Sequence, residues 1–233
     1  MNKRLVQYLT KIYYDISSPV SFSNAQRIYE YVKKESRFKI TKKEIENFLD
    51  SQEVHTTHIE PRKAKHFYGM TVPHSNYLVQ LDSFFFDFDK EHKKRIIMGV
   101  DAFSRKAAAR AVENLKKENV NKAVQEIIQE LKPQRVMWDR GREFNNSLVY
   151  STLRKNNIKY ILANPPYKAS MVERLARTIK VYLYKAMQFR GDVHWPKLLP
   201  KVINTYNNRY HSSIGMTPNQ ASLTAKEAEV WYR

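Results

Sequence analysis

The sequence predicts an α/β fold: a five-stranded mixed sheet with helices on its faces, preceded by a small all-helical N-terminal domain. Two patterns carry this expectation. Up to residue 49 the apolar residues recur at helical spacing. From Asn76 onward, three apolar runs follow one another through short connections of the hairpin kind, after which helix and strand alternate.

The first helix places Leu5, Tyr8, Leu9, Ile12 and Tyr13 on one face and breaks at Ser17-Ser18-Pro19. Two further helices carry start signals. Ser23 with Gln26, and Thr41 with Glu44, fit the capping box, in which a hydroxyl and a side chain three residues on satisfy each other's backbone donors. Ile28, Tyr31 and Val32 give the earlier helix its apolar stripe; Ile45, Phe48 and Leu49 give the later one. The joint at Arg37-Phe38-Lys39-Ile40 suits a helix-turn-helix, whose second helix enters a DNA major groove. It equally suits a three-helix accessory module that meets DNA only through its lysines. Residues 1–50 are therefore expected to form a helical DNA-binding domain. Beyond them, periodicity is lost and Pro61-Arg62-Lys63-Ala64-Lys65-His66 marks 51–75 as a basic linker lying on DNA. His55, His58, His66 and His74, with no cysteine in the chain, make a poor ligand set for structural zinc.

Residues 77–86, 96–100 and 107–112 read as strands, the last two joined by the tight Asp101-Ala102-Phe103-Ser104-Arg105 turn. A helix follows, with Val124, Ile127, Ile128 and Leu131 on one face and Pro133 as its stop. Residues 135–138 form a short buried strand ending at Asp139, 148–156 a helix and 158–162 a fifth strand. A loop at Asn164-Pro165-Pro166 leads to a long helix over 171–189, ended by Gly191, and another helix over 195–210. The α/β domain is thus expected over 76–223, with a tail over 224–233. None of the five glycines builds a phosphate-cradling loop of the nucleotide-binding kind.

Of 233 residues, 42% are hydrophobic and 12% aromatic, enough for one sizeable core and a smaller accessory domain. Lys and Arg number 41 against 23 Asp and Glu, a net charge of +18, which suits a protein that neutralises phosphates or one that is merely basic. The lack of cysteine excludes disulfides and thiolate-ligated zinc. With no long apolar run and no signal-peptide core, the expectation is an intracellular, soluble protein without membrane contact.

In this basic chain three acids have distinctive settings. Asp82 interrupts an apolar strand, where a buried carboxylate is expensive unless a cation or hydrogen bonds compensate it. Asp139 precedes Gly141, which lets the chain turn just beyond it, and Glu173 shares a helix face with Arg177 and Lys180. Hard divalent cations are bound by such convergent carboxylates, and cations four and seven residues further along the helix would face phosphates. Asp87, Asp89 and Asp101 read as turn formers, and Glu143 as a residue that orients the following helix. Neither His194 nor His211 accompanies a nucleophile turn, so a Ser-His-acid hydrolase has little support.

Four segments taken in order, Val79-Gln80-Leu81-Asp82, Ile97 to Arg105, Asp139-Arg140-Gly141-Arg142-Glu143-Phe144 and Lys168 to Arg174, resemble the retroviral-type integrase core, a DDE recombinase with the RNase H-like fold. The nearer likeness is to integrases of Maverick or Polinton transposons, supported by Tyr13-Tyr14-Asp15, the stretch from Ile40 to Leu49, and Thr205-Tyr206-Asn207-Asn208-Arg209-Tyr210-His211. Trp138 before the second acid, Tyr77-Leu78 ahead of the first and Leu175-Ala176 after the third depart from the family pattern and leave the ligands intact. The resemblance implies Asp82, Asp139 and Glu173 as catalytic ligands of two Mg²⁺ or Mn²⁺ ions, serving 3′-end processing and strand transfer into target DNA. It also implies that Arg177, Lys180, Lys168 and Tyr167 hold the donor end, that Arg140 and Arg142 contact target phosphate, and that the protein works as a homodimer or homotetramer. The implied location is the nucleus, or a viral particle and its host's nucleus. A catalytically silent domesticated DNA-binding protein and an RNase H-like nuclease or resolvase are the rival readings.

Overall fold

The computed structural model describes residues 2–36, 38–57, 70–86, 94–139, 141–163, 169–191 and 194–232. The chain divides into two compact units: Met1–Lys65 with Val181–Thr205, and His66–Lys180 with Tyr206–Arg233.

The first unit contains helices α1 (Lys3–Tyr14), α2 (Ala25–Glu35), α3 (Lys42–Asp50) and the short α4 (Glu53–Thr57), the last within the stretch expected as linker. The capping box of α3 forms as predicted: the Glu44 N–H donates to Thr41 Oγ1 at 3.3 Å and the Thr41 N–H to Glu44 Oε2 at 2.8 Å. The box expected at Ser23 does not form. Asn24 caps α2 instead, its carboxamide oxygen accepting the Arg27 N–H at 3.1 Å, while Ser23 is buried and Gln26 donates to Glu30 at 2.7 Å. Asn is as strong a cap as Ser, and its position one residue later leaves the serine in the preceding turn. Tyr13 lies at the centre, fully buried, with Phe22 and Phe48 packed on it edge-on. Residues of the later segment complete this core. The Tyr182 hydroxyl donates to the Ser21 carbonyl, the Thr205 hydroxyl to that of Ile16, and Phe189 stacks on Tyr14 at 4.3 Å.

In the second unit, strands β1 (Leu78–Phe85), β2 (Arg95–Asp101), β3 (Ala107–Val112), β4 (Arg135–Trp138) and β5 (Lys159–Leu162) form one sheet in the order β3-β2-β1-β4-β5. The first three pair antiparallel, as hairpin-type connections require, and β4 and β5 add parallel to β1 after helical crossovers. Helices α5 (Lys117–Leu131) and α6 (Ser147–Lys155) supply those crossovers. Strand alternation divides the sheet's side chains. Val79, Leu81, Ile97, Ala108, Val136 and Trp138 pack with residues of α5 and α6, while Leu78 and Met137 cluster with Phe103, Ala163 and Met171. Helix α7 (Ser170–Arg190) begins in this second cluster and ends before Gly191, whose φ of +63° is the left-handed conformation of a helix C-terminus. At the far edge, the Asn207 carboxamide at the end of α8 (Trp195–Asn207) brackets Ala107, accepting its N–H at 2.9 Å and donating to its carbonyl at 2.8 Å. The chain closes through α9 (Pro218–Ala221) and α10 (Glu227–Trp231), and the Trp231 indole donates to the Pro73 carbonyl at 2.7 Å.

Gly99 in β2 allows α5 to lie close to the sheet. A Cβ there would stand 2.9 Å from Ile127 and 3.0 Å from Val79. Gly99→Ala is therefore expected to destabilise the protein by about 1–3 kcal/mol, the usual cost of overpacking, as read from its urea unfolding midpoint.

Candidate active site

Asp82 and Asp139 are brought level by strand register. The parallel β1–β4 ladder pairs Leu78 with Arg135, Val79 with Val136 and Gln80 with Met137, each 57 residues apart, the same interval that separates Asp82 from Asp139. Continued two residues, the register sets the second acid beside the first where β4 ends. Alternation also explains Trp138, which faces the opposite way: it is fully buried against Phe144, Tyr150 and Tyr160, and its indole donates to Asn145 Oδ1 at 3.2 Å. The departure from the family pattern at this position thus fills the core and leaves the carboxylate's surroundings alone.

Gln80 lies on the same face of β1 as Asp82, two residues earlier. Its carboxamide oxygen accepts the N–H groups of Met171 at 2.9 Å and Val172 at 3.3 Å, in the first turn of the helix that carries Glu173. The Asp82 carboxylate is half-buried and accepts the Ser83 N–H at 2.8 Å. Burial above all, with the charges of Asp139, Glu143 and Glu173, pushes its pKa up to about 6 against the opposing Ser83 hydrogen bond. These three acids thus lie within electrostatic reach of Asp82. Asp139 and Glu173 are exposed, and Asp139 Oδ1 accepts the Gly141 N–H at 3.2 Å.

Glu143 holds a place that sequence reasoning did not assign. Its carbonyl accepts the carboxamide of Asn146, the cap of the next helix, at 2.8 Å, and its carboxylate accepts the Ser83 hydroxyl at 2.5 Å, next to Asp82 in the chain. Gly141 makes room for it, since a Cβ there would fall 2.7 Å from Glu143 Oε2. Asp101 is a turn former, as expected: fully buried, it accepts the N–H groups of Asn76, Phe103 and Ser104 at 2.5, 2.7 and 2.8 Å. Burial raises its pKa, and the three donors work in the other direction.

Of the cations, Arg142 and Arg177 are exposed, and Lys180 is half-buried with its ammonium 5.0 Å from the centre of the Phe84 ring. Arg177 and Lys180 follow Glu173 on one continuous helix. Arg140, Tyr167 and Lys168 lie outside the described residues, as do Asp87, Asp89, His58 and His66.

Among the described residues no three His, Asp or Glu side chains are drawn together as a metal-ligand set. The donor chemistry nevertheless suits Mg²⁺ or Mn²⁺: all the candidate ligands are carboxylates, and the half-buried one has its pKa raised by burial and then by neighbouring negative charge, which a cation would neutralise. A folded-state pKa near 6 against 3.8 in the unfolded chain means that the folded protein binds the Asp82 proton more tightly. Stability from this group is full below pH 4 and is lost as pH rises towards 6. The metal-free protein is expected to lose about 2–3 kcal/mol across that window, a loss absent in Asp82→Asn and reversed by millimolar Mg²⁺, as followed by thermal unfolding against pH.

Comparison with known proteins bears on the fold that carries these residues. Residues 72–168 match the integrase core domain family, a span that includes Asp82 and Asp139 and stops short of Glu173. An uncharacterized transposon-derived protein of Caenorhabditis elegans is 30% identical over 125 residues, 53% of this chain; the match spans 44% of that protein's length. Among solved structures, a chain of the simian T-cell lymphotropic virus intasome superposes with a TM-score of 0.66 at 17% identity, covering 94% of this chain and 72% of its own. The HTLV-2 integrase catalytic core in complex with magnesium reaches 0.58 at 20% identity, covering 64% and 98% of the two chains. The BIV integrase catalytic core reaches 0.55 at 20% identity, covering 68% and 99%. The five-stranded mixed sheet flanked by helices is thus the RNase H-like fold of integrase catalytic cores, with N-terminal helices preceding it.

Proposed function

We propose that this chain is a DDE-type polynucleotidyl transferase, an integrase that trims the 3′ ends of a transposon or viral DNA and joins them to target DNA. The observation that carries the reading is the β1–β4 register that sets Asp82 level with Asp139, together with the Gln80 contact that brings the Glu173 helix to the same strand face. Asp82, Asp139 and Glu173 would hold two Mg²⁺ or Mn²⁺ ions. When bound, such ions neutralise charge at the scissile phosphate and acidify the attacking water or 3′-hydroxyl.

The chain's own residues do the positioning. Arg177 and Lys180, one and two turns beyond Glu173, would clamp the donor phosphates, with Tyr167 and Lys168 before the helix next to the terminal nucleotides. Arg142 and Arg140, beside Asp139, would meet the target backbone. Helices α2 and α3 would bind DNA as a helix-turn-helix within 1–50, joined to the core over 76–223 by the basic stretch 51–75. Because two element ends are joined to one target, the working form would be a homodimer or homotetramer on double-stranded DNA, in the nucleus or in the host nucleus of a virus. Its lineage would be that of the Maverick or Polinton integrases.

A strand-transfer assay with an end-labelled donor duplex tests the reading. Joined product in Mg²⁺ or Mn²⁺ is the expected result. Cut donor alone would make the protein a nuclease or resolvase, and binding without either product a silent DNA-binding protein.

A further inference from the structure

Gln80 is a fully buried amide with Leu78, Val79 and Leu81 as its neighbours along β1. A buried carboxamide without partners costs about 1–3 kcal/mol, so its presence among aliphatic neighbours calls for a role. Its oxygen accepts the N–H groups of Met171 and Val172, and its nitrogen lies 3.5 Å from the Met70 sulfur. The first N–H groups of any helix have no partner within the helix, and local side chains usually satisfy them. Here, a strand residue some ninety positions away does so, and it is joined to Asp82 by a single intervening residue.

We propose that Gln80 is a positioning residue that fixes the Glu173 helix against the Asp82 strand and so sets the spacing of the two carboxylates for their metal ions. This rests on the integrase reading above. Asp82 is two residues beyond Gln80 on the same strand face, and Glu173 is the residue next to Val172. One side chain therefore ties together the two elements on which these acids are carried. The Glu173 N–H itself bonds to the Ala169 carbonyl at 3.1 Å, so the helix geometry at Glu173 is already set, and the tie fixes where that turn lies relative to β1. Residues that orient metal ligands without touching the metal typically change affinity by about 10–100-fold when replaced.

Gln80→Met keeps the length of the side chain and removes the strong acceptor. The full chain carrying it is expected to bind Mn²⁺ about tenfold more weakly by calorimetry and to need a correspondingly higher Mg²⁺ concentration for half-maximal strand transfer. The Met171 and Val172 amides should exchange hydrogen faster, while those of β2 and β3 keep their protection. Gln80→Glu restores an acceptor oxygen and should recover both amide protection and Mn²⁺ affinity. Faster exchange at the two amides with Mn²⁺ affinity within about twofold of wild type would overturn the proposal, leaving a helix cap with no bearing on the site. If Gln80→Met does not fold, Gln80→Asn, one methylene too short to reach, takes its place under the same criteria. A wild type that binds Mn²⁺ but joins no ends would sink the integrase reading while the Mn²⁺ titration still decides the role of Gln80. A wild type that binds no Mn²⁺ would overturn both.

Discussion

Asp139→Asn is expected to lower strand transfer by about a thousandfold, roughly 4 kcal/mol in the barrier, while changing DNA affinity by no more than about twofold. The substitution keeps the shape of the side chain and its hydrogen bond from the Gly141 N–H, and removes only the negative charge. Asp139 is exposed at the end of β4, so the substitution leaves the core packing unchanged. The cations proposed to meet DNA are untouched, and phosphate contacts of that kind carry most of a protein's affinity for DNA. A labelled donor-end assay run beside fluorescence anisotropy separates the two quantities. Strand transfer at wild-type rate in this variant would remove Asp139 from the site. A second consequence can be read without DNA: because Asp139 is one of the charges that raise the pKa of Asp82, the titration of Asp82 should move down in the variant.

Trp138→Ala, one residue away, is expected to act through an entirely different route, destabilising the protein by about 3–5 kcal/mol. The indole is fully buried, in contact with Phe144, Tyr150 and Tyr160, and its N–H is satisfied by Asn145. Truncation leaves a cavity beneath the strand end and an unpaired Asn145 oxygen. Equilibrium urea denaturation measures the loss. Trp138→Phe, which keeps most of the ring, should recover more than half of it. A Trp138→Ala protein as stable as wild type, yet inactive, would show that the indole serves the site and not the core.

Much of this molecule was legible in its residue order, because strands and helices write their periods locally. The apolar runs at 77–86 and 96–100, helical spacing in 120–131 and the Thr41-Glu44 pair each depend on neighbours within a few residues, and the observed elements fall where those patterns lie. The interval of 57 between Asp82 and Asp139 was also visible, though its meaning as a strand register was not. A register is a relation between two strands, and no local pattern encodes it.

Tertiary structure alone decided the partners of the polar side chains. Glu143 on Ser83, Gln80 on the first turn of α7, and Thr205 on the Ile16 carbonyl join positions 60 to 189 residues apart. It also decided that residues Val181–Thr205 belong with the N-terminal helices, although they interrupt the second unit in the chain. The sequence by itself determined which elements form and which acids are set in unusual surroundings, since burying an apolar face and capping a helix end are short-range demands. Only the packed structure decided which carboxylates share one field, because a buried donor or acceptor takes whichever partner the fold brings within about 3 Å, whatever their separation along the chain.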